Sequence, residues 1–75
     1  MMKNTTLYNK ENEHILLQRR QAANLEIMQK LNDIVNVHPE LRFTQILSIL
    51  NLDTDKFYEE PWVTLENIND KIAKL

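Results

Sequence analysis

One uninterrupted stretch decides the fold. Residues 9–36 read NKENEHILLQRRQAANLEIMQKLNDIVN and contain neither proline nor glycine. On a helix turning by about 100° per residue, the apolar side chains of this stretch share one broad face, which is typical of an amphipathic helix. That face comprises Leu16, Leu17, Ala23, Ile27, Met28, Leu31, Ile34 and Val35. The stretch therefore predicts one long N-terminal helix of about 28 residues and roughly 40 Å.

Two polar side chains, Arg20 and Asn24, lie in the middle of this apolar face. One interpretation is that the first turns of the helix project beyond a small core and are partly solvated. The other is that both residues lie in a helix–helix interface and fix its register, as a single polar core position does in coiled coils. The second interpretation makes Arg20 and Asn24 candidates for partner binding.

Two shorter helices are expected to follow. Proline disfavours helical geometry at the residue before it and suits the first turn of a helix. Pro39 therefore predicts that the first helix ends at 36–38 and that a second helix spans 39–50. In the same way, Pro61 predicts a third helix over 61–74.

The apolar side chains of these two helices repeat at helical spacing and predict a shared core. They are Phe43, Ile46, Leu47 and Leu50 in the second helix, and Leu65, Ile68, Ile72 and Leu75 in the third. Residues 51–60 are rich in asparagine and aspartate, whose side chains bond to nearby backbone and favour a loop. One of the adjacent loop aromatics, Phe57 or Tyr58, is expected to be buried, because together they would expose a large apolar area.

The composition supports a small all-α protein. The 75 residues include no glycine, which tight hairpins favour at positive φ, so a β-sheet is not expected. A chain of this length makes at most one domain, which we place at 9–75 after a frayed terminus at 1–8. The chain has no cysteine, no apolar run near the length of a membrane span and no signal-like N-terminus, so a cytoplasmic location is expected.

The long helix also predicts self-association. Helices of about 11 and 14 residues are too short to cover an amphipathic helix of roughly 40 Å. The surplus apolar face is therefore expected to bind a second copy, most simply in a two-fold homodimer. That surplus face comprises Leu16, Leu17, Ala23 and Ile27. The predicted fold is an all-α, three-helix domain that dimerises through its N-terminal helix.

The residues that carry catalysis or bind metals in other proteins are scattered here. His14 and His38 are distant in the chain, and neither has a second histidine at ligand spacing. Glu59 and Glu60 are adjacent and point apart, whereas paired-carboxylate catalysis needs convergent groups. At the start of the third helix their charge suits the helix dipole instead. We therefore expect no enzyme activity, no metal and no cofactor.

The net charge of −2 argues against nucleic-acid binding. The candidate phosphate-binding patch is Lys10, Arg19 and Arg20, and Arg42 is the only strong base-reading cation of the second helix. The connection of roughly ten residues before the third helix exceeds the three or four of a helix-turn-helix. A small DNA-binding regulator is therefore the alternative function, and a structural component of a larger assembly is a third.

Several side chains are candidates for contact with a protein partner. Arg42 is expected to lie over the core edge and to pair with a carboxylate of the following loop, namely Asp55, Glu59 or Glu60; a ligand contact is the alternative. Gln45 is expected to bond to the 51–60 loop. Tyr58 and Trp62 are the preferred anchors, because aromatic rings dominate interface energetics. The full set of candidates is Arg20, Asn24, Arg42, Gln45, Phe57, Tyr58, Glu59, Glu60 and Trp62.

Residues 38–68 resemble a known group of proteins. This part contains Pro39-Glu40-Leu41-Arg42-Phe43-Thr44-Gln45-Ile46-Leu47, then Asp55-Lys56-Phe57-Tyr58-Glu59-Glu60 and Thr64-Leu65-Glu66. It is similar to small uncharacterised proteins of bacteriophages, prophages and mobile elements of low-GC and Bacteroides-type bacteria. In the usual pattern of that group, a glycine stands at the position of Thr44 and a proline at that of Lys56.

The resemblance implies a phage or mobile-element context rather than a particular chemistry. Together with the residues above, it predicts a non-enzymatic accessory protein that binds another protein, with inhibition of a host protein as one such role.

Overall fold

The computed structural model describes the backbone of residues 2–75 and the side chains of residues 12–75. It contains three helices: α1 (Met2–Val37), α2 (Phe43–Ile49) and α3 (Pro61–Ile72). Residues 2–75 contain no β-strand. The predicted all-α, three-helix fold with a long N-terminal helix is therefore confirmed. A frayed terminus is predicted at 1–8. The side chains of these residues are outside the described part of the structure, so fraying there stays a prediction.

Helices α1 and α3 lie side by side and run in the same direction. At one end, Arg20 of α1 bonds to Glu60, the residue just before α3. At the other end, Ile34 of α1 and Ile72 of α3 line the same shallow cavity. Residues 38–60, including α2, therefore return the chain to the level of Arg20. Helix α1 extends past the start of α3, and the molecule measures 58 × 22 × 18 Å.

The core draws on all three helices. Its buried cluster consists of Ile34 from α1, Ile46 and Leu50 from α2 and its end, and Ile68 from α3. Partly buried side chains that pack around this cluster are Ile27, Leu31, Leu41, Leu52 and Ile72. Burial of apolar area of this kind stabilises a fold by about 25 cal/mol per Å². With so few fully buried side chains, each of them carries a large share of the stability.

Helix α2 begins later than predicted. It starts at Phe43, and residues 39–40 form a turn in which the His38 carbonyl accepts the Leu41 N–H at 3.1 Å. The start is fixed by Gln45, whose side-chain oxygen accepts the Arg42 N–H at 2.7 Å. This bond satisfies an N–H group at the helix start that would otherwise lack a partner. The helix predicted over 39–50 is therefore wrong at its start, and so is the bond predicted between Gln45 and the 51–60 loop.

Phe43, the first residue of α2, lies outside the core. Its side chain is 57% exposed, whereas Leu41, just before the helix, packs against the buried cluster. The predicted core positions Ile46 and Leu50 are confirmed, and that of Phe43 is wrong.

The end of α2 shows how a chain without glycine stops a helix. Asn51 has a φ of 58°, the left-handed conformation that glycine usually supplies at this position. Its N–H bonds to the Ser48 carbonyl at 3.0 Å, and the Leu52 N–H bonds to the Leu47 carbonyl at 2.7 Å. These two bonds form a Schellman motif. Asparagine tolerates this conformation better than most residues, because its short polar side chain bonds locally.

The apolar face predicted to be surplus on α1 is largely used within the chain. Ala23 is buried and Ile27 packs against the core. Leu16 is half-buried, and only Leu17 is more than half exposed. Ala23 and Ile27 therefore contribute to the fold of the single chain, and self-association through α1 stays a prediction.

We predict that Ile68→Ala lowers the free energy of unfolding by about 2–5 kcal/mol, because it leaves a cavity where three helices meet. A domain of this size is only marginally stable, so Ile68→Ala can unfold it completely. Ile68→Val should lower the free energy of unfolding by about 0.5–1.5 kcal/mol, which leaves a folded protein to measure. The matched control is Val63→Ala on the exposed side of α3, expected to stay within about 0.5 kcal/mol of wild type. Urea denaturation followed by circular dichroism measures all three. Equal losses at the two positions would contradict this core.

Candidate partner-binding surface

Two adjacent arginines of α1 contact the chain where α3 begins. The Arg20 guanidinium donates to both carboxylate oxygens of Glu60, from Nε to Oε1 at 2.8 Å and from Nη2 to Oε2 at 3.0 Å. Arg19 lies over the ring of Trp62, with its guanidinium carbon 3.7 Å from the ring centroid. A bidentate pair and a cation–π contact both restrict geometry as well as adding energy. We call Arg19, Arg20, Glu60 and Trp62 the arginine clamp.

The ion pair of the clamp shifts the pKa of both partners. The hydrogen bond from Arg20 lowers the pKa of the Glu60 carboxyl, against an opposing effect of partial desolvation. The same bond raises the pKa of Arg20. Both shifts favour the charged forms, so the pair is ionised at neutral pH.

A second carboxyl with a lowered pKa lies away from the clamp. The pKa of Glu40 is lowered by a hydrogen bond from its own backbone N–H and by His38, whose Nδ1 lies 2.9 Å from Oε1 of Glu40. This contact lies in the turn between α1 and α2.

Next to the clamp, residues 56–59 form a tight turn that presents two aromatic rings. The Lys56 carbonyl accepts the Glu59 N–H at 2.9 Å, which places Phe57 and Tyr58 at the two central positions of a β-turn. The carboxylate of Asp55 accepts the Phe57 N–H at 3.2 Å. We call residues 56–59 the aromatic turn.

Both rings of the aromatic turn point away from the protein. The Phe57 side chain is 84% exposed and that of Tyr58 is 92% exposed. The prediction that one of them is buried is therefore wrong. The central positions of a β-turn lie at its outer corner, and each ring finds its aromatic contact in the other, edge to face, with centroids 4.9 Å apart.

The base of the aromatic turn is tied to α3. Lys56 Nζ lies 3.2 Å from Oε2 of Glu59, which closes the turn with an ion pair. Asn67 of α3 donates from Nδ2 to Oε1 of the same carboxylate at 3.3 Å. The next residue, Glu60, is held by Arg20. The rings therefore project from a base that is fixed at two consecutive residues.

Other predicted site residues lie elsewhere. Arg42 is exposed at the start of α2, and the carboxylates expected to bind it have other partners, so its predicted pairing is wrong. Asp55 accepts the Phe57 N–H, Glu59 binds Lys56 and Asn67, and Glu60 binds Arg20. Asn24 is exposed on α1, one turn after Arg20.

The structure therefore brings together Arg20, Glu60 and Trp62 in the clamp, with Phe57, Tyr58 and Glu59 in the turn beside it. The sequence-based set omitted Arg19, Lys56 and Asn67. The spacing of Lys56 and Glu59 was a usable signal for an ion pair across one turn. The contacts of Arg19 and Asn67 depend on how α3 lies against the rest of the chain, so no local pattern indicates them.

Among the residues that the structure describes, no three histidine, aspartate or glutamate side chains converge as metal ligands would. Over the same part of the chain, no helix combines the length and apolar content needed to cross a lipid bilayer. Comparisons with protein-family models, with curated proteins and with solved structures find no match to the chain. The resemblance of residues 38–68 to phage and mobile-element proteins stays a prediction.

The lowered pKa of Glu60 predicts an acid-sensitive contribution to stability. Because the folded pKa lies below the ordinary value of 4.5, the contribution is fully present above that value and is lost as pH falls through the folded pKa. The difference in free energy of unfolding between wild type and Glu60→Gln is expected to be constant near neutral pH and to shrink in acid. Urea denaturation at a series of pH values measures it.

The matched control for this prediction is the same substitution in an Arg20→Ala background. Without Arg20, the Glu60 carboxyl loses the largest cause of its lowered pKa and keeps only the weaker attraction of Arg19, so Glu60→Gln should have a much smaller effect there. A difference of the same size and pH dependence in both backgrounds would show that Arg20 does not stabilise the Glu60 carboxylate.

Proposed function

We propose that this chain is a non-enzymatic binding protein whose aromatic turn inserts into an apolar pocket of another protein. The observation that carries the proposal is the near-complete exposure of Phe57 and Tyr58 on a turn whose base is fixed to the folded domain. Aromatic rings are the side chains most often found as energetic centres of protein interfaces.

The aromatic turn offers a partner both a large apolar area and a preorganised backbone. Phe and Tyr each bury about 150–250 Å² when fully covered. The pair therefore presents a large apolar area to water, and its burial against a partner would favour binding. Binding a partner also costs the entropy of ordering loops and side chains. Here the turn is already closed by the Glu59 N–H bond and the Lys56–Glu59 ion pair, so less ordering remains to be done.

The charges of the loop indicate the chemistry of the partner's rim. Asp53 and Asp55 are exposed in the same loop as the rings, and Glu59 stands at the end of the turn. The single cation of the turn, Lys56, is paired with Glu59. An apolar pocket surrounded by lysine or arginine is the complementary surface, since opposite charges steer encounter and disfavour wrong partners.

The arginine clamp supports protein binding over the DNA-binding alternative. Of the three cations proposed as a phosphate patch, Arg20 is paired with Glu60 and Arg19 lies over Trp62. Both guanidinium groups are thereby used to position α3. To bind phosphates, Arg19 and Arg20 would have to give up their contacts with Trp62 and Glu60. That loss would reduce the electrostatic free energy that drives nucleic-acid binding.

The proposed setting follows the resemblance of residues 38–68. A phage or mobile-element accessory protein would meet its partner in the cytoplasm of the bacterial host. A small protein that fills an apolar pocket on a larger one can act by blocking that pocket, so inhibition of a host protein is the role we favour within this proposal.

We predict that the double substitution Phe57→Ala with Tyr58→Ala abolishes capture of the partner from host lysate by the immobilised protein. Loss of two interface anchors is expected to weaken binding by at least about 2 kcal/mol, or roughly thirtyfold. Mass spectrometry of the captured proteins identifies the partner, and titration of the purified partner gives the affinity.

The matched control is Phe43→Ala, which removes another exposed aromatic ring from a different part of the surface. It should capture the same partner with unchanged affinity. Circular dichroism of all variants checks that the fold is intact, as expected for exposed positions. A partner captured equally well by the double variant would overturn the assignment of the aromatic turn.

A further inference from the structure

From residue 17 to residue 37, one side of α1 carries no charged side chain. The charged residues of this span all fall within one arc of about 140°, which includes the two arginines that contact Glu60 and Trp62. They are Arg19, Arg20, Glu26, Lys30 and Asp33. At about 100° per residue, an arc of roughly 160° on the other side contains only apolar and uncharged polar residues. Its central residues are Leu17, Gln18, Gln21, Asn24, Leu25, Met28, Asn32 and Val35. We call this side of α1 the uncharged arc.

The uncharged arc is exposed and includes large apolar side chains. Leu17 is 52% exposed and Met28 is 65% exposed, and Leu25 and Val35 are exposed as well. A solvated helix face normally carries charged residues. A face that combines exposed leucine, methionine and valine with amides, and has no lysine or glutamate, is instead typical of a surface that packs against another one.

The spacing of the arc is that of a coiled-coil seam. Positions 17, 21, 24, 28, 31 and 35 alternate in steps of four and three, as the inner positions of a heptad repeat do. At position 31, Leu31 packs against the core, so the seam borders the hydrophobic interior. From 17 to 35 the seam extends over about 27 Å of helix.

We propose that the uncharged arc binds the same arc of a second copy, with the two α1 helices parallel. The charge pattern selects this occupant. A partner with a charged face would find no complementary charge on this arc, whereas two identical uncharged faces meet without repulsion. The amides of Gln21 and Asn24 each carry donors and an acceptor, so each can bond to its own counterpart.

The two amide positions also select the parallel arrangement. In a parallel pair, Gln21 meets Gln21 and Asn24 meets Asn24 of the second copy, while Leu17, Met28 and Val35 form apolar layers. In an antiparallel pair in the same seam, Gln21 would face Leu31 and Asn24 would face Met28. Amides buried against apolar side chains would lose their hydrogen bonds, which costs about 1–3 kcal/mol for each unsatisfied group.

A parallel dimer would also affect partner binding, if the aromatic turn binds a partner as proposed above. Glu60 sets the aromatic turn at the level of Arg20 on α1. With the two α1 helices parallel, both aromatic turns lie at the same level of the dimer. Such a dimer could engage two pockets of an oligomeric partner at once, and linked binding of this kind raises overall affinity.

The oligomeric state of the purified full chain tests the proposal without any partner. Analytical ultracentrifugation across a wide concentration range is expected to show a monomer–dimer equilibrium. Met28→Glu places two like charges against each other in the seam and should raise the dimer dissociation constant at least about tenfold. Ile15→Glu is the matched control: Ile15 is 61% exposed on the opposite side of α1, and its substitution should leave dissociation unchanged.

Circular dichroism shows whether each variant keeps its helices. Whether the protein dimerises at all is measured on the wild type alone. A wild-type chain that stays monomeric at all concentrations overturns the proposal. So does a dimer that Met28→Glu and Ile15→Glu weaken equally.

Cross-linking tests the direction of the helices. The chain has no cysteine, so a single introduced thiol reports on one position. Under mild oxidation, Gln21→Cys should form a disulfide-linked dimer, because parallel helices bring the two thiols together in the seam. In the antiparallel pair they would be about 15 Å apart along the axis.

The matched control for cross-linking is Ala22→Cys at the neighbouring position. Ala22 is exposed on α1. It lies about 140° around the helix from the centre of the seam, so its thiol should stay unlinked. Linkage at position 22 but not at position 21 would overturn the parallel arrangement.

Discussion

Two neighbouring arginines of α1 fix the point at which α3 begins. Arg20 binds both oxygens of Glu60, and Arg19 lies over Trp62, so the chain is fixed to α1 at the point where α3 begins. The buried cluster around Ile68 secures α3 farther along. These two attachments, at the start of α3 and around Ile68, are consistent with the parallel course of α3 along α1.

The same constraint connects the fold to the proposed function. Residues 56–59 could not present Phe57 and Tyr58 in a fixed direction if the following residue were loose. Glu60 is held by Arg20, and Glu59 is held by Lys56 and Asn67, so the turn projects from an ordered base. The clamp and α3 occupy one side of α1, and the uncharged arc lies on another. Helix α1 therefore acts as a scaffold between a surface for a foreign partner and a surface for its own copy.

Patterns that are local in the sequence predicted much of the fold. The periodicity of residues 9–36 and the absence of glycine identified an all-α chain with a long first helix, and the helical spacing of Ile46, Leu50 and Ile68 identified core positions. The start of α2 was not predictable from Pro39, because proline suits a β-turn as well as the first turn of a helix. The helix begins instead where the Gln45 side chain accepts the Arg42 N–H. The exposure of both loop aromatics and the pairing of Arg20 with Glu60 depend on contacts between distant residues. Residue spacing along the chain carries no information about these contacts.

A charge-reversal cycle between Arg20 and Glu60 tests whether this ion pair holds α3 to α1. Arg20→Glu and Glu60→Arg, measured singly by urea denaturation, each set like charges against one another and should destabilise the fold. Combined in one chain, they restore an ion pair in the opposite sense. We expect the double variant to be more stable than either single variant, although the arginine at the start of α3 opposes the helix dipole. A double variant whose loss equals or exceeds the sum of the two single losses would show that Arg20 and Glu60 do not hold α3 to α1.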